Sequence, residues 1–191
     1  MNETITYYNQ NAEEYFNNTV NVSMQELYDQ FEAYLKSGDK ILNLGCGSGR
    51  DSRYFLSRGY DVVPVDGSME LCLLAGNYIG MDVRNITYEE LDYNNEFDAV
   101  WVCASLLHVD SDKLFDVVSR IKTSLKDKGV IYASWKYGHK ERIDNGKFYF
   151  DLNEKTLVEL FDSFSFSIEK MWISEDNLFR GEQWINVIGK M

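Results

Sequence analysis

The stretch "ILNLGCGSGRD" (residues 41–51) places three glycines at alternate positions directly after a short apolar run. The apolar run has the length of a buried strand, and "RDSRYFLSRG" after it is typical of a helix that ends at Gly59. Because glycine has no Cβ, Gly45, Gly47 and Gly49 allow a tight turn and a close approach to a ligand. The stretch predicts a strand, a turn and a helix, with the turn either a ligand site or a plain glycine turn.

Strand-like and helix-like segments alternate along the rest of the chain. "YDVVPVD", Asp82 to Ile86, "FDAVWVCAS" and "GVIYASW" are predicted strands, and helical apolar spacings lie between them. This alternation predicts an α/β fold with a doubly wound, mostly parallel sheet and helices on both faces. The last two β-like runs, "FSFSIEKMWI" and "QWINVIGK", are expected to pair antiparallel at one edge. Pro64 conflicts with an interior strand because it has no N–H to donate.

The length and composition of the chain limit the classes of protein to which it can belong. A chain of 191 residues with 45% hydrophobic content predicts a single domain, and the net charge of −12 disfavours nucleic acid as a partner. We expect no membrane segment and no export signal, and therefore a cytoplasmic protein, because no long apolar run or basic leader is visible. Cys46, Cys72 and Cys103 form no C-x-x-C pair, so free thiols and no metal site are predicted.

An acidic residue ends the second predicted strand. Asp66 lies 21 residues after Gly45, a position where a carboxylate can accept hydrogen bonds from ribose hydroxyls. The glycine spacing is G-x-G-x-G, and Arg50 stands where the dinucleotide fingerprint has its third glycine. The pattern therefore predicts a nucleoside ligand and disfavours a pyrophosphate.

The segment "ILNLGCGSGRDSRYFLSRGYDVVPVDGS" resembles the cofactor half of class I S-adenosylmethionine-dependent methyltransferases. The chain from "YYNQNAEEY" to "QWINVIGK" is similar to their small, single-domain bacterial members, and "GCGSGRDS" resembles the tellurite-resistance methyltransferases. The resemblance implies a seven-stranded Rossmann-like sheet, with an antiparallel strand at one edge, and S-adenosyl-L-methionine as cofactor. It also implies a lid over residues 1–38, a cofactor-binding core over 39–135 and substrate-side elements over 136–191.

The resemblance also implies roles for individual residues. The glycines would pass under the methionyl part of the cofactor, and Asp66 would hold its ribose. Asn43 stands where the family usually has an acidic residue that anchors the cofactor's ammonium, so we expect Asn43→Asp to preserve or tighten cofactor affinity. The predicted cofactor-binding residues are Tyr15, Asn43, Gly45, Cys46, Gly47, Gly49, Asp66, Gly67, Ser68, Met69, Thr87, Tyr88, Ala104 and Ser105.

The end of the fourth strand, "CASLLHV", is where the reactive methyl group is expected to face a substrate. His108 is the candidate general base, because an unperturbed imidazole titrates near pH 6.5. It could equally line the cofactor pocket or cap the helix that begins near Ser111, and methyl transfer depends mainly on positioning. The predicted substrate contacts are Tyr7, Lys136, Tyr137 and Arg180.

The acceptor class follows from a missing motif. Enzymes that methylate amino groups of adenine or glutamine commonly carry a Pro-Pro-aromatic motif after the fourth strand, whereas this chain's one proline lies elsewhere. We therefore predict an enzyme that acts by in-line methyl transfer on a small molecule. Two alternatives stay open: a nicotinamide-dependent oxidoreductase, which Asp66 suits and Arg50 disfavours, and a non-catalytic cofactor-binding subunit that acts with a partner.

Overall fold

The computed structural model describes residues 3–178 and 181–191, and its main element is a seven-stranded sheet. The strands are β1 (Lys40–Leu44), β2 (Asp61–Asp66), β3 (Arg84–Asn85), β4 (Phe97–Val102), β5 (Leu125–Lys136), β6 (Glu141–Asp144), β7 (Lys147–Phe150), β8 (Ser167–Glu175) and β9 (Gln183–Lys190). The sheet order is β3-β2-β1-β4-β5-β9-β8, with β1 to β5 parallel and β9 antiparallel to both neighbours. The predicted doubly wound sheet with an antiparallel edge is confirmed.

Helices cover both faces of the sheet. They are α1 (Glu3–Gln10), α2 (Ala12–Thr19), α3 (Gln25–Glu32), α4 (Arg50–Ser57), α5 (Met69–Ile79), α6 (Ser111–Ser124) and α7 (Glu154–Ser163). None of these described helices is long and apolar enough to cross a bilayer.

Strand β1 shows how the core forms on both sides of the sheet. Successive side chains of a strand point to opposite faces. Leu42 and Leu44 are buried in the cluster that includes α6 and α7, while Ile41 is buried with residues of α3 and α4. Burying a side chain of this size stabilises the fold by about 1.5–3 kcal/mol. The strand is therefore held firmly, and so is the position of the turn that follows it.

Pro64 lies inside β2 without breaking the sheet. The carbonyl oxygen of Val65 accepts from the Gly45 N–H at 2.9 Å and therefore points toward β1. Because neighbouring residues alternate in direction, the nitrogen of Pro64 points toward β3, where pairing begins only at Val65 and Arg84. The missing N–H falls beyond the paired part of that edge and costs no ladder hydrogen bond.

Two elements differ from the expected boundaries. Strand β3 contains only Arg84 and Asn85, so it is shorter than the predicted run from Asp82 to Ile86. Helix α3 begins at Gln25, with Met24 at the N-cap position, although Ser23 and Glu26 have capping-box spacing. The Ser23 hydroxyl accepts only a long hydrogen bond of 3.5 Å from the Gln25 N–H.

A hairpin that the sequence analysis does not predict follows β5. Strands β6 and β7 pair antiparallel around Asn145 and Gly146, whose φ angles are 49° and 77°. Positive φ at both central residues is the type I′ turn for which Asn-Gly is strongly preferred. The Asn145-Gly146 dipeptide therefore indicates a hairpin turn at this point of the sequence. The hairpin brings Lys147, Phe148 and Tyr149 to the site described next.

Candidate functional site

A cavity of about 80 Å³ lies at the carboxyl ends of the parallel strands. Ligands of open parallel sheets bind at this edge. Predicted residues that line the cavity are Tyr15, Gly45, Asp66, Gly67, Ser68, Thr87, Tyr88, Ala104, Ser105 and His108. These residues come from five separate stretches of the sequence, and the parallel topology brings them together.

Gly45 makes the tightest contact in the glycine turn. Its φ is +72°, and a Cβ on it would lie 1.9 Å from the Ser105 Oγ. The Ser105 hydroxyl is held in turn by the Tyr88 hydroxyl at 2.6 Å. No other residue type fits between the ends of β1 and β4 without displacing Ser105.

The other two glycines serve packing. A Cβ on Gly47 would lie 3.1 Å from the Tyr15 ring, and one on Gly49 would lie 3.1 Å from Ala75 in α5. Neither residue lines this cavity or the larger cavity beside it. Their small size lets Tyr15 and α5 lie against the turn.

Asp66 has the hydrogen-bond acceptors that a ribose site requires. Its Oδ2 accepts from the Gly47 N–H and its Oδ1 from the Ser68 N–H, both at 2.8 Å. Burial raises the pKa of this carboxyl, while the backbone N–H groups oppose the shift. An ionised carboxylate offers about four acceptor sites, so the backbone N–H groups of Gly47, Gly67 and Ser68 still leave a site for a ribose hydroxyl group. The residues present therefore fit a nucleoside.

Helices α1 and α2 lie over this cavity. Ile5 would be 3.1 Å from a Cβ on Gly67, and the Asn9 side-chain oxygen accepts from the Ser68 hydroxyl at 2.7 Å. Ligand pockets for small molecules usually measure about 300–1,000 Å³. At about 80 Å³, the first cavity is smaller than this range. Ile5 and Asn9 were not among the predicted site residues, because no local pattern distinguishes them from other residues of a half-buried helix.

His108 lies in the wall of the cavity with both ring nitrogens engaged. Its Nδ1 is 2.6 Å from the Phe148 carbonyl oxygen, which can only accept, so Nδ1 carries the proton. Nε2 therefore accepts from the Tyr8 hydroxyl at 2.9 Å. Burial lowers the pKa of His108 to about 4. A neutral imidazole whose lone pair is already engaged is a weak general base, which disfavours the predicted catalytic role.

The lowered pKa of His108 predicts a pH dependence of stability. The folded value of about 4 lies below the ordinary value of 6.5, so the unfolded state binds the proton first as pH falls. His108 therefore contributes stability that is present above pH 6.5 and lost on approach to pH 4. We expect a loss of about 1–2 kcal/mol between about pH 7 and about pH 5. Denaturant unfolding at both pH values measures it.

His108→Asn is the matched variant for this measurement. Its amide can still donate to the Phe148 carbonyl but does not titrate, so this part of the pH dependence should disappear. The same loss of stability in His108→Asn and in the unmodified protein would contradict the assignment.

A second cavity, of about 500 Å³, shares Tyr8, Tyr15, Ala104 and His108 with the first. The predicted substrate residues Tyr7 and Lys136 line it. Three further lining residues, Arg50, Lys147 and Tyr149, were not predicted for this role. The shared wall places a ligand of the second cavity next to a ligand of the first.

Arg50 is held by a buried carboxylate at the start of α4. Its Nε donates to Asp51 Oδ1 at 2.6 Å, and the same carboxylate accepts from Tyr28 at 2.6 Å and Trp101 at 2.8 Å. Although burial raises the pKa of Asp51, the Arg50 charge and these hydrogen bonds bring it below its ordinary value. The position of the Arg50 side chain therefore depends on contacts between distant residues, which the sequence around Arg50 does not show.

Asn43 does not reach the cavities that the described residues form. It is buried on the face of β1 that carries Ile41, and its amide donates to the Ser52 Oγ at 2.7 Å. The predicted contact of Asn43 with a cofactor ammonium stays a prediction, and in this structure the amide is engaged by Ser52. Asn43→Asp would bury a charge beside a single hydroxyl, so we expect it to destabilise the fold rather than to tighten binding.

Other predicted residues also lie away from the cavities. Met69 is 50% exposed at the start of α5, and Leu71 lines the first cavity in its place. Cys46 is buried, with its N–H donated to the Val65 carbonyl. The Tyr137 hydroxyl donates to Glu154 at the surface. Arg180 lies outside the described residues.

Thr87 lines the first cavity with its polar groups already engaged. Its N–H and its hydroxyl both donate to the Glu90 carboxylate, at 2.8 Å and 2.9 Å. These groups are therefore not free to donate to a base.

Residues 41–129 match the protein family described as a methyltransferase domain. Over these residues the chain is similar to methyltransferase domains. The match runs from β1 into β5 and contains the glycine turn, Asp66 and His108. It covers just under half of the chain.

Curated relatives match this chain along part of their length. YqeM of Bacillus subtilis is 30% identical over 120 residues, which are 54% of this chain and 47% of that protein. The ubiquinone biosynthesis O-methyltransferase of Rhodopseudomonas palustris is 28% identical over 115 residues, or 55% of this chain and 45% of that protein. The chain spans about half the length of the curated relatives it matches.

A solved structure is similar to this chain over nearly its whole length. The 1,6-didemethyltoxoflavin-N1-methyltransferase of Burkholderia thailandensis was crystallised with 1,6-didemethyltoxoflavin and S-adenosylhomocysteine. It superposes with a TM-score of 0.84 over 98% of this chain and 87% of that chain, at 20% identity. A likeness at this identity shows the fold, and function must be argued from the site.

Proposed function

We propose that this protein transfers the methyl group of S-adenosyl-L-methionine to a small-molecule acceptor. The observation that carries the proposal is the wall of Tyr8, Tyr15, Ala104 and His108 shared by the two cavities. A nucleoside in the first cavity and an acceptor in the second would meet across this wall.

Residues of the first cavity would hold the cofactor. Asp66 would accept from a ribose hydroxyl with the acceptor site that Gly47, Gly67 and Ser68 leave free. The turn at Gly45 would lie against the methionyl part, because its backbone is not screened by a side chain. The bound cofactor supplies a methyl group on a positively charged sulfur, which is already a strong electrophile.

The protein's own contribution is then positioning and exclusion of water. Tyr8 and Tyr15 lie between the cavities, and their hydroxyls are shielded enough that burial raises both pKa values. Both phenols therefore stay neutral, as hydrogen-bonding groups, at physiological pH. We assign His108 to the positioning of Tyr8 through Nε2, not to proton abstraction. Holding two reactants in line is a sufficient source of rate for this class of reaction.

Three observations support a small-molecule acceptor. The second cavity, at about 500 Å³, has the size of a small-molecule pocket. The structural relative named above holds a small heterocycle. The net charge of −12 opposes nucleic acid as the acceptor.

A cytoplasmic location is proposed because Cys46, Cys72 and Cys103 are all free thiols, as a reducing compartment favours.

Calorimetric titration with S-adenosylmethionine, S-adenosylhomocysteine and reduced nicotinamide dinucleotide tests the cofactor. We expect binding of the first two only. The formation of S-adenosylhomocysteine with a panel of small acceptors then tests catalysis. Binding of the nicotinamide cofactor alone would support the oxidoreductase instead. Turnover only after a second protein is added would support the partner-dependent subunit.

A further inference from the structure

Lys147, the first residue of β7, places its ammonium group over tyrosine rings in the second cavity. Its Nζ lies 4.5 Å from the ring centre of Tyr7, 5.9 Å from that of Tyr8 and 5.7 Å from that of Tyr149. Lys136 lies 4.5 Å from the Tyr149 ring on the same cavity wall. Aromatic faces attract such cations but do not neutralise them.

The two lysines differ in their partners. Lys136 pairs with the carboxylate of Glu182, whereas no carboxylate within residues 3–178 and 181–191 lies at ion-pair distance from Lys147. Glu14, Glu175 and Asp176 also line the cavity, and none of them forms an ion pair with Lys147. Among the described residues, Lys147 is therefore a cation with no ion-pair partner, beside an aromatic wall.

This positive charge acts close to the wall shared with the first cavity. The rings of Tyr8 and Tyr149 contact His108, with ring centres 5.5 Å and 5.0 Å away. Besides burial, the charges of Lys147 and Lys136 lower the pKa of His108. The end of the cavity where methyl transfer would occur therefore favours a negative group on a ligand.

We propose that the acceptor is a planar molecule with an acidic O–H or N–H group, bound as its anion in the second cavity beside the Tyr7, Tyr8 and Tyr149 rings, with Lys147 as counter-charge. This inference rests on the proposed function and names its substrate class. Flat rings suit aromatic walls, because offset and edge-to-face contacts between aromatic groups are favourable.

The charges of the reaction balance without a general base. The lone pair of the ionised oxygen or nitrogen forms the new bond to the methyl carbon. The carbon–sulfur bond breaks, and its electron pair stays on sulfur. An anion and a sulfonium thus become a neutral methylated product and a neutral thioether, and no proton has to be removed. Such a reaction suits this site, because the lone pair of the His108 imidazole already accepts a hydrogen bond.

The test uses para-nitrophenol, which is acidic and planar, and its neutral ether, para-nitroanisole. Equilibrium dialysis above the pKa of the phenol measures the affinity of each for the full chain. We expect the phenolate to bind about tenfold more tightly than the ether, as a hydrogen bond to a charged group implies. Lys147→Met should remove this preference, and Lys147→Arg should keep it.

Lys155→Met is the control, because the Lys155 side chain is exposed on the outer face of α7 and carries the same charge. Lys147→Gln gives the same comparison if Lys147→Met does not fold. Equal affinity for phenolate and ether, no measurable phenolate binding, or an unchanged preference in the Lys147 variants would overturn the inference. A parallel titration with S-adenosylmethionine tests the proposed function separately, because the dialysis contains no methyl donor.

Discussion

Gly45→Ala is expected to lower the free energy of unfolding by about 2–5 kcal/mol and to abolish cofactor binding. An alanine at the observed φ of +72° is strained by about 1–2 kcal/mol. Its Cβ would also lie 1.9 Å from the Ser105 Oγ, an overlap that must displace one of the two strand ends at a cost of about 1–3 kcal/mol. Denaturant unfolding and calorimetric titration measure the two effects.

The Gly80→Ala variant measures the cost of backbone strain without the overlap with Ser105 that Gly45→Ala creates. Gly80 has a φ of +76°, and a Cβ on it would meet nothing within 4 Å. It should therefore lose only about 1–2 kcal/mol and should keep cofactor binding. Adding Ser105→Gly to Gly45→Ala removes the atom that is struck, so stability should partly return. If Gly45→Ala is no more destabilising than Gly80→Ala, the close approach of the two strand ends is not the cause.

Asp66→Asn is expected to weaken S-adenosylmethionine binding by about 10- to 100-fold, the equivalent of about 1.5–3 kcal/mol for a lost hydrogen bond to a charged group. Both carboxylate oxygens accept a backbone N–H at 2.8 Å. An asparagine has one such oxygen, so its NH₂ group would face either the Gly47 or the Ser68 donor. The substitution would therefore distort the glycine turn and also remove the negative charge of Asp66. Calorimetric titration gives the affinity.

Asp82→Asn is the matched control for Asp66→Asn. Asp82 is exposed before β3, at the opposite end of the sheet from the cavity, so its neutralisation should leave the affinity unchanged. Equal affinities of Asp66→Asn and the unmodified protein would remove the basis for assigning the ribose to Asp66.

The parts of the site that the sequence predicted are those at strand ends. Gly45, Asp66 and Ser105 each follow a recognisable apolar run, and the carboxyl ends of parallel strands meet at one edge. Chain order and the two-residue alternation of strands were sufficient for these positions. Asn43 shows the limit of this reasoning. Its place in β1 was predicted, but its side chain faces α4 because strand alternation puts it opposite the cavity.

Contacts between distant segments were beyond the reach of local patterns. Tyr8 and His108 are 100 residues apart, and the Phe148 carbonyl that orients His108 comes from the unpredicted hairpin. Thr4 links α1 to the same hairpin by accepting from the Phe148 N–H at 3.0 Å. The way in which the site is covered therefore depends on the packing of α1 against the β6–β7 hairpin.

By itself, the sequence determined the sheet, the glycine turn and the acidic strand end, because hydrophobic periodicity and backbone sterics act between near neighbours. Only the tertiary structure decided that His108 is a neutral hydrogen-bond acceptor and that Lys147, in the second cavity, has no ion-pair partner among the described residues. The physical reason is that burial and charge are set by everything that packs around a group. For these two residues, that packing comes from helices and a hairpin far away in the chain.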